Sequence, residues 1–143
     1  LIYIFSFLFL QKHAFQLGKY NASKLDSNAS EEIMKNLKAL FQREEVYLES
    51  TLSLENVAKE LKVTPRILSQ AINQTEQTNF SGFVNHYRIE KAKNLLQQPK
   101  YQKEKIASVA FDCGFGNVTS FNLAFKAQTK KTPSQYRNAF FKN

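Results

Sequence analysis

The chain is short of several residue types, and each shortage removes a class of protein. One cysteine in 143 residues rules out an internal disulfide. Two histidines, His13 and His86, stand far apart, so no quartet of metal ligands is expected. Four glycines and three prolines exclude collagen-like and proline-rich chains, and no glycine-rich loop could cradle a phosphate. Clustered carboxylates and a nucleophile beside a base are missing too, so neither catalysis nor a cofactor is expected. No apolar run reaches the about 20 residues that a membrane-spanning helix requires. No stretch alternates apolar and polar residues as a half-buried strand does, so the fold class is all-α.

What remains is an ordinary apolar fraction, 43%, in a length that suits one domain with extensions. The net charge is +8, and its distribution is uneven. Residues 1–50 carry six basic and six acidic groups, and residues 51–83 carry three of each. Residues 84–143 carry eleven basic against three acidic groups, which is the whole excess. That concentration favours a face for a negatively charged partner, nucleic acid or anionic membrane.

The first ten residues, Leu1 to Leu10, are apolar apart from Ser6, and the sequence begins with Leu rather than Met. Residues 1–11 are therefore read as the end of a truncated transmembrane helix. Lys12, Lys19 and Lys24 come next, which places the remainder on the cytoplasmic side. Residues 12–30 read as a juxtamembrane linker. A connecting helix is expected over 31–49, with Ser30 as its N-cap and Ile33, Leu37, Phe41 and Leu48 on its apolar face. This helix can pair with its copy in a homodimer or pack on the helices C-terminal to it; the spacing leaves both open.

From Thr51 the punctuation sharpens. Ser53 caps a helix over 54–61, and Thr64-Pro65 opens another, with Pro at the first position where its missing N–H costs nothing. A first helix-turn-helix is thus expected over 53–74. A linker helix spans 80–98 and ends at Pro99, with Phe83, Val84, Tyr87, Ala92, Leu95 and Leu96 apolar. A second helix-turn-helix spans 105–129, with Gly114 ending its first helix and Asn117 capping its second. Thr132-Pro133-Ser134-Gln135 forms a capping box that opens a C-terminal helix over 133–141. The two pairs repeat: Val57-Ala58, Leu61 and Val63 match Val109-Ala110, Cys113 and Phe115 at an offset of 52 residues, and the second turn holds one extra residue. A small residue in the first helix, a tight turn and a capped second helix make the helix-turn-helix pattern.

The residues that carry this pattern also resemble a known family. Ser53-Leu54 through Leu68, then Tyr87-Arg88-Ile89-Glu90-Lys91-Ala92-Lys93-Asn94-Leu95-Leu96, are similar to the DNA-binding domain of AraC-type transcription regulators. So are Ile106 to Ala110, Cys113-Gly114-Phe115, Ser120-Phe121-Asn122 with Phe125-Lys126, and Thr132 to Arg137. The resemblance covers about residues 51–140 in order and spacing. It implies a seven-helix tandem helix-turn-helix domain over 51–143, here preceded by an extra helix. It implies asymmetric binding of double-stranded DNA near promoters, with RNA polymerase as a further partner. Some similar members carry the domain behind several membrane helices.

If Leu68, Ala71 and Ile72 pack inward, the first recognition helix presents Arg66, Ser69, Gln70 and Asn73. Arginine can take guanine bidentately, and glutamine or asparagine can take adenine. The second presents Thr119, Asn122, Leu123 and Lys126, with Val118 at its entrance. Leu123 and Val118 stand where relatives usually carry polar or basic residues, and apolar groups there can touch thymine methyls. Whether the second unit reads bases or only grips backbone stays open. Phosphate contacts are expected from Lys126, Lys130, Lys131 and Arg137, and at the capped N-termini of Thr64 and Asn117. Arg88 is ambiguous between DNA contact and, the favoured reading, an ion pair with an acidic neighbour such as Glu60 or Asp112; Cys113 is expected to be a buried inert thiol, and Phe111, Phe115, Phe121 and Phe125 to form core. The alternative to a DNA reader is a helical protein-interaction module that no longer reads bases.

Overall fold

A computed structural model of the chain describes residues 25–142, so the expected membrane stub and most of the linker lie outside the described residues. Among the described residues seven α-helices succeed one another: α1 Ser27–Glu44, α2 Leu54–Glu60, α3 Pro65–Glu76, α4 Phe80–Leu96, α5 Ile106–Asp112, α6 Val118–Thr129 and α7 Pro133–Phe141. Short 3-10 turns at Val46–Leu48 and Pro99–Tyr101 bracket the central portion. No helix among the described residues is long and apolar enough to cross a membrane.

The seventh helix of the set is α1, the one expected to stand outside the domain. It begins at Ser27 behind Asp26, not at Ser30. Ser30 lies one turn inside it, only 1% exposed, and its hydroxyl donates to Gln74 Oε1 of α3 at 2.6 Å. Leu25 and Ala29 are buried as well, so residues 25–30 are not linker. The inward pattern simply continues backwards through small side chains that apolarity alone does not flag. At the other end Glu45 adopts a left-handed conformation (φ 47°) and stops the helix before Tyr47 and Leu48, which sit in the 3-10 turn. Leu37 and Phe41 are fully buried inside the monomer. The apolar face offered for a homodimer is therefore already covered by the chain itself.

Two cores result. The first joins α1, the Val46–Leu48 turn, α2, α3 and the first half of α4, with Phe41 against Tyr47, Phe83 and Tyr87 at ring-centroid distances of 5.9, 5.2 and 5.0 Å. The second joins the other half of α4 to α5 and α6, through Ile89, Ala92, Leu96, Val109, Phe121 and Phe125. Helix α4 passes from one core to the other between Tyr87 and Ile89. That is why its apolar residues wind around it instead of forming one stripe, and why Ile89, fully buried, is masked by charged neighbours in the sequence. Phe111 corrects a second expectation. It is 55% exposed, because Val109, Ala110 and Cys113 occupy the inward side of the short α5.

The two turns close identically. Val63 N–H donates to Ala58 O at 2.9 Å, and Phe115 N–H to Ala110 O at 3.1 Å. Lys62 and Gly114 occupy the same left-handed position, with φ of 56° and 87°. Small Ala58 and Ala110, whose carbonyls accept these bonds, are both fully buried.

Candidate nucleic-acid interface

Recognition helix α3 is set by Thr64, whose hydroxyl oxygen accepts from Ile67 N–H at 3.2 Å, and by Pro65 at the first helical position. Leu68, Ala71 and Ile72 turn inward and are fully buried. This places Arg66 and Asn73 in solvent and leaves Ser69 and Gln70 half-buried on the same outer side. Among the described residues the side chains of Arg66, Gln70 and Asn73 make no hydrogen bond or ion pair. An outward guanidinium and two amides without internal partners are chemically free for base edges.

Helix α6 is built the same way. Asn117 Oδ1 accepts from Ser120 N–H at 2.8 Å, and Phe121 and Phe125 are fully buried. Thr119, Asn122 and Lys126 are exposed, Val118 is half-buried, and Leu123 is 69% exposed. An isobutyl group this open has no packing role in the monomer. The side-chain oxygens of Thr64 and Asn117 are occupied as caps, so what those termini can offer a phosphate is free backbone N–H. Between α3 and α6 runs a polar groove of about 650 Å³, where Ser69, Asn117 and Ser120 face Asn79, Ser81 and Asn85 of the α4 end. The last three were not singled out in the sequence; the cap Asn79, accepting from Gly82 N–H at 2.8 Å, is the one signal that could have found them.

Charge along residues 84–143 divides into two groups. Arg137, expected on phosphate, has its Nη1 engaged within the fold: it donates to the carbonyl oxygens of Tyr101 and Glu104, tying α7 to the Pro99–Tyr101 turn. Arg88 pairs with neither Glu60 nor Asp112. Its Nε and Nη2 donate to the carbonyl oxygens of Tyr47 and Glu49, at 2.7 and 2.8 Å. Lys91 binds Glu45 at 2.8 Å and Lys93 binds Glu90 at 2.9 Å. The remaining basic side chains, Lys100, Lys103, Lys105, Lys126, Lys130, Lys131 and Lys142, are exposed. Lys126, Lys130 and Lys131 gather at the end of α6, with Lys130 in the left-handed position (φ 63°) that closes the helix.

The Lys91 ammonium and the Tyr47 hydroxyl both donate to the Glu45 carboxylate and hold it below its usual range. Burial pushes the Cys113 thiol up to about 12, so it stays protonated and inert at neutral pH.

Two hairpins with matching turns and outward recognition helices define a tandem helix-turn-helix DNA-binding domain. A family profile described as a helix-turn-helix domain matches residues 57–139, more than half of the chain. The chain belongs to this family, in its AraC-type branch of DNA-binding domains of transcription regulators. It is 34% identical over 106 residues to the uncharacterized HTH-type transcriptional regulator YijO of Escherichia coli K12, covering 71% of this chain and 36% of that protein. It is 27% identical over 120 residues to the E. coli HTH-type transcriptional activator RhaR, covering 84% of this chain and 40% of that one. The chain thus spans well under half the length of these curated relatives. Among solved structures, the C-terminal domain of AraT, a response regulator from Geobacillus stearothermophilus, matches with a TM-score of 0.65 and 31% identity, over 75% of this chain and 84% of that one.

Proposed function

We propose that this chain is the DNA-reading part of a sequence-specific transcription regulator that seats α3 and α6 in adjacent major grooves of one duplex face. The observation that carries the reading is the outward trio Arg66, Gln70 and Asn73, free of internal partners on a helix whose other side is fully buried. The 17-residue α4 is about 26 Å long at 1.5 Å per residue, which suits hairpins meant for grooves roughly 34 Å apart. Arg66, Ser69, Gln70 and Asn73 read bases. Thr119 and Asn122 do so in the second groove, where Leu123 meets a thymine methyl. Lys126, Lys130 and Lys131 grip phosphates, with the N-termini behind Thr64 and Asn117.

Selection from random duplexes by residues 25–143 tests this. The expected product is a motif of two half-sites about 10 base pairs apart, bound less tightly as salt rises. Arg66→Ala and Gln70→Ala should each cost about 1–3 kcal/mol against the selected site and relax one position. Recovery of no enriched sequence would sink the proposal. Leu123 favours a second reading, a protein-docking module, in which Leu123→Ala abolishes a partner and Arg66→Ala changes nothing.

We further propose that the domain is tethered to a membrane, on the strength of the apolar run Leu1–Leu10 and the lysines beyond it. Fractionation of cells carrying the complete natural gene tests this. The protein is expected in the membrane pellet and resistant to a salt wash; recovery in the soluble fraction overturns it.

A further inference from the structure

Among the described residues helix α4 is the one helix shared by both cores, so the relative placing of the two hairpins depends on what fastens them across its middle. At that middle, where the helix leaves the first core after Tyr87 and enters the second at Ile89, stands Arg88. Its two hydrogen bonds reach Tyr47 O and Glu49 O, which belong to the first lobe. Its guanidinium lies 5.5 Å from the centroid of Phe115, which belongs to the turn of the second hairpin. Gly114 closes the same junction from the other side. A Cβ on it would stand 2.4 Å from Tyr47 O and 2.8 Å from the Leu48 carbonyl, so the second turn lies directly on the 47–48 backbone.

We infer that this junction is a spacing gauge: Arg88 locks the Tyr47–Glu49 segment to the turn of the second hairpin, fixes the offset between α3 and α6, and so sets which half-site separation the protein accepts. Arg88 is a positioning residue that acts through other groups. The spacing part rests on the DNA-reading proposal above; the mechanical part does not. An arginine is required because a planar fork can serve two carbonyls while lying on an aromatic face, whereas a lysine ammonium is a compact point charge. The contrast separates the gauge from a phosphate contact, for which Arg88→Lys would keep most of the effect.

Spin labels on Lys59→Cys in α2 and Ala127→Cys in α6, both exposed positions of the 143-residue chain, report the offset directly. Cys113, fully buried, does not compete for the label. Pulsed electron-spin measurement should give one narrow distance distribution with Arg88, and clearly broader ones in Arg88→Lys and Arg88→Ala. Amide exchange within each core should stay protected, and Phe115→Leu should broaden the distribution by an intermediate amount. On the selected duplex, one base pair inserted between half-sites moves the second by about 3.4 Å and roughly 34°. The protein with Arg88 should lose at least about tenfold in affinity on that insertion, a cost of about 1.4 kcal/mol or more. Arg88→Lys should lose no more than about a third of that tenfold factor. An unbroadened distribution in both Arg88 variants overturns the lock whatever happens on DNA. A broadened one with an undiminished insertion penalty overturns the gauge. If the selection itself yields no motif, the DNA reading fails, and the spacing claim with it, while the label distances still decide the lock.

Discussion

The two helix-turn-helix units share a turn and differ in almost everything around it. Both close with the same pair of backbone hydrogen bonds, and both hold one residue in the left-handed region. In the first unit that residue is Lys62, exposed, with a side chain free in solvent. In the second it is Gly114, buried against the backbone of Tyr47 and Leu48. The first hairpin is splinted from the N-terminal side by α1, through Ser30 to Gln74 and Phe41 in the core. The second is closed from the C-terminal side by α7, where Tyr136 meets Phe125 at 5.4 Å between ring centroids. The outer face of α3 is polar, whereas α6 exposes Leu123. The difference teaches that a helix-turn-helix is not self-sufficient: each copy needs a further helix to cover its core, and the two copies recruit theirs from opposite ends of the chain.

The largest break in this comparison should come from Phe41→Ala. It empties the centre of the first core and should cost about 3–5 kcal/mol in urea unfolding. Amide exchange should accelerate through α1–α3 while α5–α7 keep their protection; equal loss in both halves would mean that the lobes do not fold as separate units. The next largest contrast lies within the shared turn. Gly114→Ala forces a Cβ onto the Tyr47 carbonyl at a positive φ and should cost roughly 2–3 kcal/mol. Lys62→Ala at the equivalent position should stay within about 0.5 kcal/mol, as exposed substitutions usually do. Similar losses at both positions would refute the idea that only the second turn is docked. The smallest effect is a gain. Lys130→Gly relieves a left-handed lysine at the end of α6 and should raise stability by about 0.5–1 kcal/mol, seen as a higher urea midpoint.

Local chemistry explains why the helix starts were legible. Ser53, Thr64, Asn117 and Thr132 each accept from a backbone N–H three residues on, and the Thr132–Gln135 capping box forms in full. A cap is written in one or two adjacent residues, so sequence carries it. The repeat was legible for the same reason, since Ala58 and Ala110 stand at the same place before each turn. The outer faces of α3 and α6 followed from periodicity once the inner faces were known. Arg88 was misread, and the tie made by Arg137 went unseen, because each reaches across more than thirty residues to carbonyl oxygens, and a carbonyl acceptor leaves no mark on residue type. Phe111 was misread because a seven-residue helix has too few turns for its inward side to be inferred from apolarity.

The order of helices, the caps of the two recognition helices and the duplication came from the sequence alone, because those depend on contacts between near neighbours. Whether α1 would pair with another molecule or splint its own recognition helix was decided only by the tertiary fold, because burying Leu37 and Phe41 depends on where α3 and α4 lie in space. The same holds for the angle between the two hairpins. It is set at Arg88 and Gly114 by groups distant in the chain, and no local pattern encodes a meeting of that kind.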